Sequence, residues 1–219
     1  ILLTVAGGRH PSWSPDPQTQ TIVYARATSL NGVPTGLKLF TIQADDLQEV
    51  KGPTQITENP AGKVAQDSHP SWTPTLGSSL VAFEREQDGQ TDIFVVDVSN
   101  PQASLTQLTF TPDESERHPT WSPNGQSVIF ERGNDLWKVQ VPLGVNDPEL
   151  LFDDPQRQVR EPFWQFGDRI LYRDALYVDN IRFFDPATQT EGRLTTSDAE
   201  TQPAGSPGAA QIVFVSQRL

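Results

Sequence analysis

The sequence predicts an all-β fold built from about five repeats of one four-stranded antiparallel unit. Three observations support it: a recurring six-residue phrase, a strand-like run after each copy, and two further strand-like runs before the next. The phrase His-Pro-Ser/Thr-Trp-Ser/Thr-Pro occupies 10–15, 69–74 and 118–123, and weaker copies occupy 161–164 and 202–207. Self-similarity at a period of roughly 40–60 residues is typical of arrays in which each repeat is one supersecondary unit.

The strands of each unit follow from composition and turn residues. Short runs rich in β-branched and aromatic residues, bounded by Pro, Asn, Asp and Gly, predict strands. Second strands are predicted at 21–26, 80–85, 128–132, 169–173 and 211–215, and third strands at 37–42, 92–97, 135–139 and 180–184. Short, polar fourth strands are predicted at 54–57, 106–109, 149–152 and 192–195. Four antiparallel strands in a repeat of this length indicate the blade of a β-propeller.

We therefore expect a single β-propeller domain over residues 1–219. The predicted blades lie near 10–57, 58–109, 110–152, 153–195 and 196–219. The tryptophan of each phrase (Trp13, Trp72, Trp121 and Trp164), together with Trp137 in a third strand, is predicted to pack in the core between blades rather than to stack on a carbohydrate.

The repeat resembles that of the TolB-type propellers. The resemblance is clearest over 118–130 for the first half of the repeat and 92–109 for the second. The last two copies depart from it, because Trp164 lacks the following Ser-Pro and Gly205 takes the place of the tryptophan. The resemblance implies six blades, whereas the number of repeats favours five, and both stay open. Residues 1–4 look like a fourth strand, and we predict that they complete the last blade and close the ring.

Composition restricts the class of partner. The formal net charge of −12 disfavours nucleic acids and anionic membranes, since both require a basic surface. The chain has no cysteine, and no apolar run approaches the length of a membrane-spanning helix. It shows no signal peptide and no initiator methionine, so we expect a processed or trimmed chain. The TolB resemblance implies a periplasmic or other extracytoplasmic location in the bacterial cell envelope.

Candidate binding residues come from two repeated positions. The first residue of the phrase, called position one below, is His10, His69, His118, Glu161 or Gln202. The ends of the second strands contribute Arg26, Arg85, Arg132 and Arg173. In a propeller, the loop entering the innermost strand and the loop leaving the second strand open on the same face, so we expect both sets there. Arginine binds carboxylates in bidentate fashion and is favoured at interface hot spots.

Catalysis receives less support. His10, His69 and His118 are candidate ligands of a divalent metal, a picture similar to the histidine face of oligogalacturonate lyases. Residues one blade apart are nevertheless far apart for an ion whose ligands lie about 2 Å away, so hydrogen bonding between blades is favoured. No G-x-S-x-G elbow is present. Glu84 and Glu131 are read as strand-end residues that pair with neighbouring arginines on a solvated surface.

The sequence therefore predicts a monomeric, non-catalytic TolB-like propeller that acts as a protein- or peptide-binding scaffold without a cofactor. Two alternatives stay open. One is a metal-dependent polysaccharide lyase or hydrolase that uses the histidines, and the other is the gating propeller of a peptidase.

Overall fold

Each copy of the phrase lies in the first strand of a separate antiparallel sheet. The computed structural model describes residues 7–44, 52–141, 147–164, 169–176, 179–195, 199–205 and 212–216. The first sheet contains β1 (Gly8–Trp13), β2 (Thr21–Leu30), β3 (Val33–Gln43) and β4 (Thr54–Gln55). The second contains β5 (Ala65–Trp72), β6 (Leu80–Gln87), β7 (Gln90–Asp97) and β8 (Thr106–Gln107), with a short helix α1 (Pro101–Ser104) before β8.

Three further sheets follow in the same way. The third contains β9 (Glu116–Trp121), β10 (Ser127–Arg132), β11 (Asp135–Gln140) and β12 (Glu149–Phe152). The fourth contains β13 (Val159–Trp164), β14 (Ile170–Asp174), β15 (Asn180–Asp185) and β16 (Thr190–Arg193). The fifth pairs β17 (Glu200–Gly205) with β18 (Ile212–Ser216). Strands that are consecutive in the chain are neighbours in every sheet, so each of the four-stranded sheets is a meander of the kind that forms a propeller blade, and the fifth shows one antiparallel pair within the described residues. The predicted all-β class is confirmed, and the sheets are called blades one to five below.

The blades fall into two compact units. Blades one and two belong to Ile1–Ser115, and blades three to five belong to Glu116–Leu219. The prediction of one domain over 1–219 stays a prediction, and the predicted ring closure by residues 1–4 lies outside the described residues. None of the helices in the described part of the chain has the length and apolar character needed to cross a membrane.

Tight turns set the register of the long hairpins. The β2–β3 turn places Asn31 and Gly32 at φ of 52° and 81°, and the β6–β7 turn places Asp88 and Gly89 at 55° and 83°. Two consecutive positive φ values match the twist of a two-residue hairpin, which explains the Asn-Gly and Asp-Gly pairs. Gly36 is required for another reason: a Cβ there would lie 2.2 Å from the carbonyl oxygen of Ala65 in blade two.

Unit one is held together by a core between its two blades. Blade one contributes Val23, Ala25, Leu39 and Ile56, and blade two contributes Trp72, Val81, Phe83 and Val96. The indole of Trp72 also donates to the backbone oxygen of Ser78 at 3.2 Å. The interblade position predicted for this tryptophan is therefore confirmed.

Trp13 does not follow the prediction. It occupies the same place in its phrase as Trp72, yet it is 59% exposed, whereas Trp72 is 8% exposed. Trp72 is buried because its face of blade two packs on blade one. In the described structure, the corresponding face of blade one leaves the Trp13 ring in solvent.

A second core joins blades three and four in unit two. Ile129 and Leu136 of blade three meet a group from blade four consisting of Val159, Ile170, Tyr172 and Phe184. Trp164 is partly buried against this cluster, and Trp121 is 2% exposed. Trp137 is only partly buried, and its ring lies 4.2 Å below the guanidinium carbon of Arg132.

The two tryptophans of unit one provide a matched test of this packing. Trp72→Ala should lower the free energy of unfolding by about 3–5 kcal/mol, because it removes a large side chain from the interblade core. Trp13→Ala should change it by less than about 1 kcal/mol, since the exposed ring gives up little burial. Urea denaturation of both variants measures the difference, and equal losses would contradict the assignment.

Candidate functional site

Position one lies inside the first strand, at a β-bulge, rather than in the loop that the sequence predicts. In blade two, Ser68 pairs with Glu84 and Ser71 pairs with Ala82, so His69 and Pro70 together oppose one residue of β6. The same register shift interrupts the first strand of every blade. A bulge of this kind re-aims the side chain at its centre.

All five position-one residues adopt left-handed backbone conformations. Their φ values lie between 47° and 54°: His10 at 50°, His69 at 47°, His118 at 50°, Glu161 at 51° and Gln202 at 54°. Non-glycine residues rarely occupy this region, and holding one there costs roughly 1–3 kcal/mol. The following proline has no N–H, so it suits a bulged position that makes no ladder hydrogen bond. The phrase therefore encodes a specific kink.

In unit one, the kink is braced by a buried carboxylate. Glu84 Oε1 accepts from the Ser68 hydroxyl at 2.8 Å and lies 2.8 Å from His69 Nδ1. The His10 ring stacks on the His69 ring, with 3.7 Å between centroids, so the expectation that histidines one blade apart lie far from each other is wrong for this pair. Glu84 thus fixes the orientation of His69 from within blade two, and His69 in turn supports His10.

In unit two, carboxylates connect neighbouring blades. Glu131 Oε1 lies 2.7 Å from His118 Nδ1, and the same oxygen accepts the backbone N–H of Glu161 at 2.5 Å. Glu161 Oε2 then accepts the backbone N–H of Gln202 at 2.7 Å. The strained position of one blade is therefore held by an acid of the preceding blade, from blade three to four and from four to five.

Two of the predicted contact arginines are buried in ion pairs. Arg85, 3% exposed, donates from Nε and Nη2 to the two oxygens of Asp67 at 2.6 and 2.9 Å. Arg132, 7% exposed, donates from Nε to Glu116 Oε1 at 2.9 Å. The sequence predicts that these arginines pair with Glu84 and Glu131 on a solvated surface. That prediction is wrong, because the partners are Asp67 and Glu116 and both pairs are buried.

A buried lysine completes the blade-two ion pair. Lys38 is 1% exposed, donates to the carbonyl oxygens of Leu37 and Ala65, and lies 3.7 Å from Asp67 Oδ2. Burial lowers the pKa of its ammonium below the usual 10.5, and the nearby Asp67 carboxylate offsets part of that effect. Asp67 therefore balances two cations.

The remaining predicted arginines are partly exposed and differ in their partners. Arg173 lies 2.6 Å from Asp179 and 3.4 Å from Glu161, so it takes part in the carboxylate network of unit two. Arg26 stacks on the ring of Phe40, with its guanidinium carbon 4.2 Å from the centroid. The structure thus places Arg173 beside Glu161, a position-one residue, and places Arg26 over an aromatic ring of blade one.

Sequence reasoning missed the acids that receive the buried arginines. Asp67 and Glu116 each stand two residues before position one, and Glu200 stands in the corresponding place in the fifth copy. This repeated acid is a signal that the sequence alone contains. Its importance depends on the bulge, which determines which residue of the first strand faces the arginine.

The histidines are oriented in a way that is compatible with ligand binding. In both His69 and His118, Nδ1 faces a carboxylate, which leaves Nε2 as the other ring nitrogen. Carboxylates orient metal-binding histidines in this manner, but they orient purely structural histidines as well. Divalent metal binding by His10, His69 or His118 stays a prediction.

Comparisons with known proteins support the fold. No protein-family model matches the chain. The chain is 29% identical over 146 residues to a probable dipeptidyl peptidase 4 of Neosartorya fischeri, a match that covers 60% of this chain and 18% of the peptidase. TolB from Acinetobacter baumannii is similar in structure with a TM-score of 0.70 and 17% identity, over 96% of this chain and 49% of the TolB chain. A chain of a nidogen/laminin complex has a TM-score of 0.69 and 12% identity, over 98% of this chain and 74% of that one.

The structural likeness establishes a TolB-like β-propeller fold. The resemblance identified from the repeat phrase is confirmed at that level. This chain spans about half the length of the TolB chain and less than a fifth of the peptidase.

Removing the carboxylate that braces unit two should be costly. Glu131→Ala should lower the free energy of unfolding by about 3 kcal/mol, because it leaves the Glu161 N–H without its acceptor and removes a buried charge that faces His118. Glu149→Ala is the matched control, since its side chain is 62% exposed and pairs with Lys138 at the surface. That control should lose less than about 1 kcal/mol. Comparable losses in urea denaturation would show that Glu131 has no special structural role.

The buried lysine predicts a pH dependence. Because the folded-state pKa of Lys38 lies below its unfolded value of 10.5, the unfolded chain binds more protons between those two values. Stability contributed at this position should therefore rise as the pH increases through that window. Lys38→Met removes the titrating group, so wild type should gain stability relative to the variant as the pH rises towards 10.5. A difference in unfolding free energy that is independent of pH would contradict the lowered pKa.

Proposed function

We propose that this chain is a non-catalytic scaffold that binds a protein or peptide, in the periplasm or another extracytoplasmic compartment of a bacterium. The proposal rests chiefly on one observation. At every described position one, the backbone is kinked in the same way, and the titratable side chains of Glu84, Glu131 and Glu161 are engaged in bracing those kinks.

This use of the acids favours recognition over catalysis. A general acid or base needs a carboxylate that faces a reacting group, and a nucleophile needs a neighbouring base. Glu131, by contrast, contacts His118 and the Glu161 N–H and is 5% exposed. Residues held this firmly make a rigid surface, and rigidity reduces the entropy lost on binding.

The structural comparisons are compatible with a binding role. TolB and the chain from the nidogen/laminin complex have the same type of fold, and the second of these was solved together with a protein partner. Fold alone does not determine function, so the support comes from the combination of fold and braced residues. A monomer without a resident cofactor is part of the same proposal.

A second candidate is the propeller of a peptidase. The sequence match to a probable dipeptidyl peptidase 4 favours this candidate specifically, because it extends over 146 residues at 29% identity. In that case the chain would control access to a catalytic domain or bind its substrate. The metal-dependent lyase or hydrolase predicted as another alternative would use the histidines at position one.

Peptide selection tests the scaffold proposal directly. Random twelve-residue peptides displayed on phage should yield an enriched motif on the immobilised chain. Gln202→Ala should weaken binding of the selected peptide at least tenfold, because the variant removes an exposed position-one side chain but keeps the backbone N–H that donates to Glu161. Gln126→Ala, an exposed residue in the β9–β10 turn, should leave the affinity unchanged.

The rival functions make different predictions. Cleavage of oligogalacturonate that is lost on adding EDTA would support the metal-dependent lyase and overturn the non-catalytic proposal. Tighter binding of the isolated catalytic domain of a dipeptidyl peptidase than of the selected peptide would favour the peptidase propeller. Under the non-catalytic proposal, metal analysis finds no stoichiometric ion and EDTA leaves the melting temperature unchanged. Failure to enrich any motif, with a correctly folded chain, would also count against it.

A further inference from the structure

We infer that blade one carries a carboxylate-binding site centred on Arg26, which receives a carboxylate group of a bound peptide. The inference rests on the proposed peptide-binding function and specifies its chemistry. It comes from comparing Arg26 with the arginines that occupy the same place in blades two and three.

The three arginines are equivalent by strand register. Arg85 lies directly opposite Asp67, and Arg132 lies directly opposite Glu116. In blade one, the residue opposite Arg26 is Gly8. The arginine is thus retained in three successive blades, whereas the acid that pairs with it is retained in only two of them.

The guanidinium of Arg26 also has the same aromatic support as its equivalents. Arg26 lies 4.2 Å over Phe40, Arg85 lies 5.2 Å over Phe94, and Arg132 lies 4.2 Å over Trp137. These rings occupy one register position of the third strand, opposite Tyr24, Phe83 and Phe130. Stacking on the ring holds the planar group in the posture that accepts a carboxylate in blade two.

Blade one lacks the second acid as well. Where blades two and three have Glu84 and Glu131, blade one has Ala25, which is buried. Within the described ranges, Arg26 forms no ion pair with an acidic side chain, and it is partly exposed. A chain with 28 acidic residues and a net charge of −12 therefore leaves this arginine uncompensated in its described structure.

Neighbouring charges reinforce the preference for an anion. Arg9 follows Gly8 and is exposed, and Lys38 lies directly opposite Arg26 in β3. Lys38 is occupied by Asp67 and backbone oxygens, so its charge contributes to the local field without competing for the ligand. A carboxylate is the best match to a stacked guanidinium, because its two oxygens accept parallel hydrogen bonds.

Nuclear magnetic resonance of the arginine side chains tests the site. The Nε–Hε signal of Arg26, assigned by its disappearance in Arg26→Gln, is followed during titration with acetyl-tetraalanine that has a free C-terminal carboxylate. A second probe, acetyl-Ala-Ala-Asp-Ala-Ala amide, supplies a side-chain carboxylate, and acetyl-tetraalanine amide supplies none. We expect a saturable shift with one or both acids and none with the amide. The probe that binds more tightly shows whether the site prefers a C-terminal or a side-chain carboxylate.

Two internal controls define specificity. The Arg85 signal should stay fixed, because Asp67 already binds that guanidinium. Arg169, exposed and stacked over Phe183 at 4.9 Å, reports nonspecific binding. No shift of Arg26 up to millimolar probe, or an equal shift of Arg169, would overturn the inference.

Restoring the missing acid gives an independent test. Gly8→Asp places a carboxylate opposite Arg26, as Asp67 is placed opposite Arg85, and Gly8 is not among the residues with positive φ. The variant should bind the acidic probe at least tenfold more weakly, whereas Gly8→Asn should bind it almost as wild type does. Equal binding by both variants would contradict the assignment. If display peptides are selected and bind Arg26→Gln as tightly as wild type, the Arg26 site is contradicted and the scaffold proposal is kept. If selection fails but the Arg26 signal shifts specifically, the scaffold proposal is contradicted and the carboxylate site is kept.

Discussion

The structure depends on a left-handed residue followed by a proline in the first strand of all five blades. This kink is intrinsically unfavourable, because a side chain at positive φ crowds its own backbone. It persists because its backbone N–H or its side chain finds a carboxylate partner: the Glu161 N–H donates to Glu131, and the His69 ring contacts Glu84. The bulge and the acids therefore depend on each other. The strained backbone positions the polar groups, and their hydrogen bonds hold the backbone in its strained conformation.

The bulge also determines which charges meet across the strands. Because two residues of the first strand oppose one residue of the second, the pairing beyond the bulge places Asp67 opposite Arg85 and Ser68 opposite Glu84. The adjacent residues Glu84 and Arg85 on β6 therefore have different partners. Glu84 braces the kink, and Arg85 closes a buried ion pair with Asp67 and Lys38. Desolvation offsets most of the attraction in a buried pair of this type, so the pair adds little net stability, whereas removal of one partner alone is costly.

The strands could be predicted from the sequence because their signals are local. Short runs of β-branched and aromatic residues bounded by Pro, Asn, Asp and Gly predicted the strands, and the observed β6 and β10 begin within a residue of their predicted positions. The kink at position one could not be predicted in the same way, because a residue before proline ordinarily prefers extended backbone. The burial of Arg85 and the exposure of Trp13 also escaped prediction. The first depends on bulge register and the second on the packing between blades, and neither is encoded within one repeat.

Repetition makes the departures from the repeat the informative positions. A structural requirement common to all blades should preserve both members of a pair, as blades two and three preserve an acid opposite Arg85 and Arg132. Blade one keeps the cation and its aromatic support but replaces both acids by Gly8 and Ala25. If the arginine served only the internal pair, loss of the acid would leave a partly desolvated charge at a cost and with no benefit. Retention of Arg26 in its stacked posture is therefore better explained by a carboxylate that comes from outside the blade.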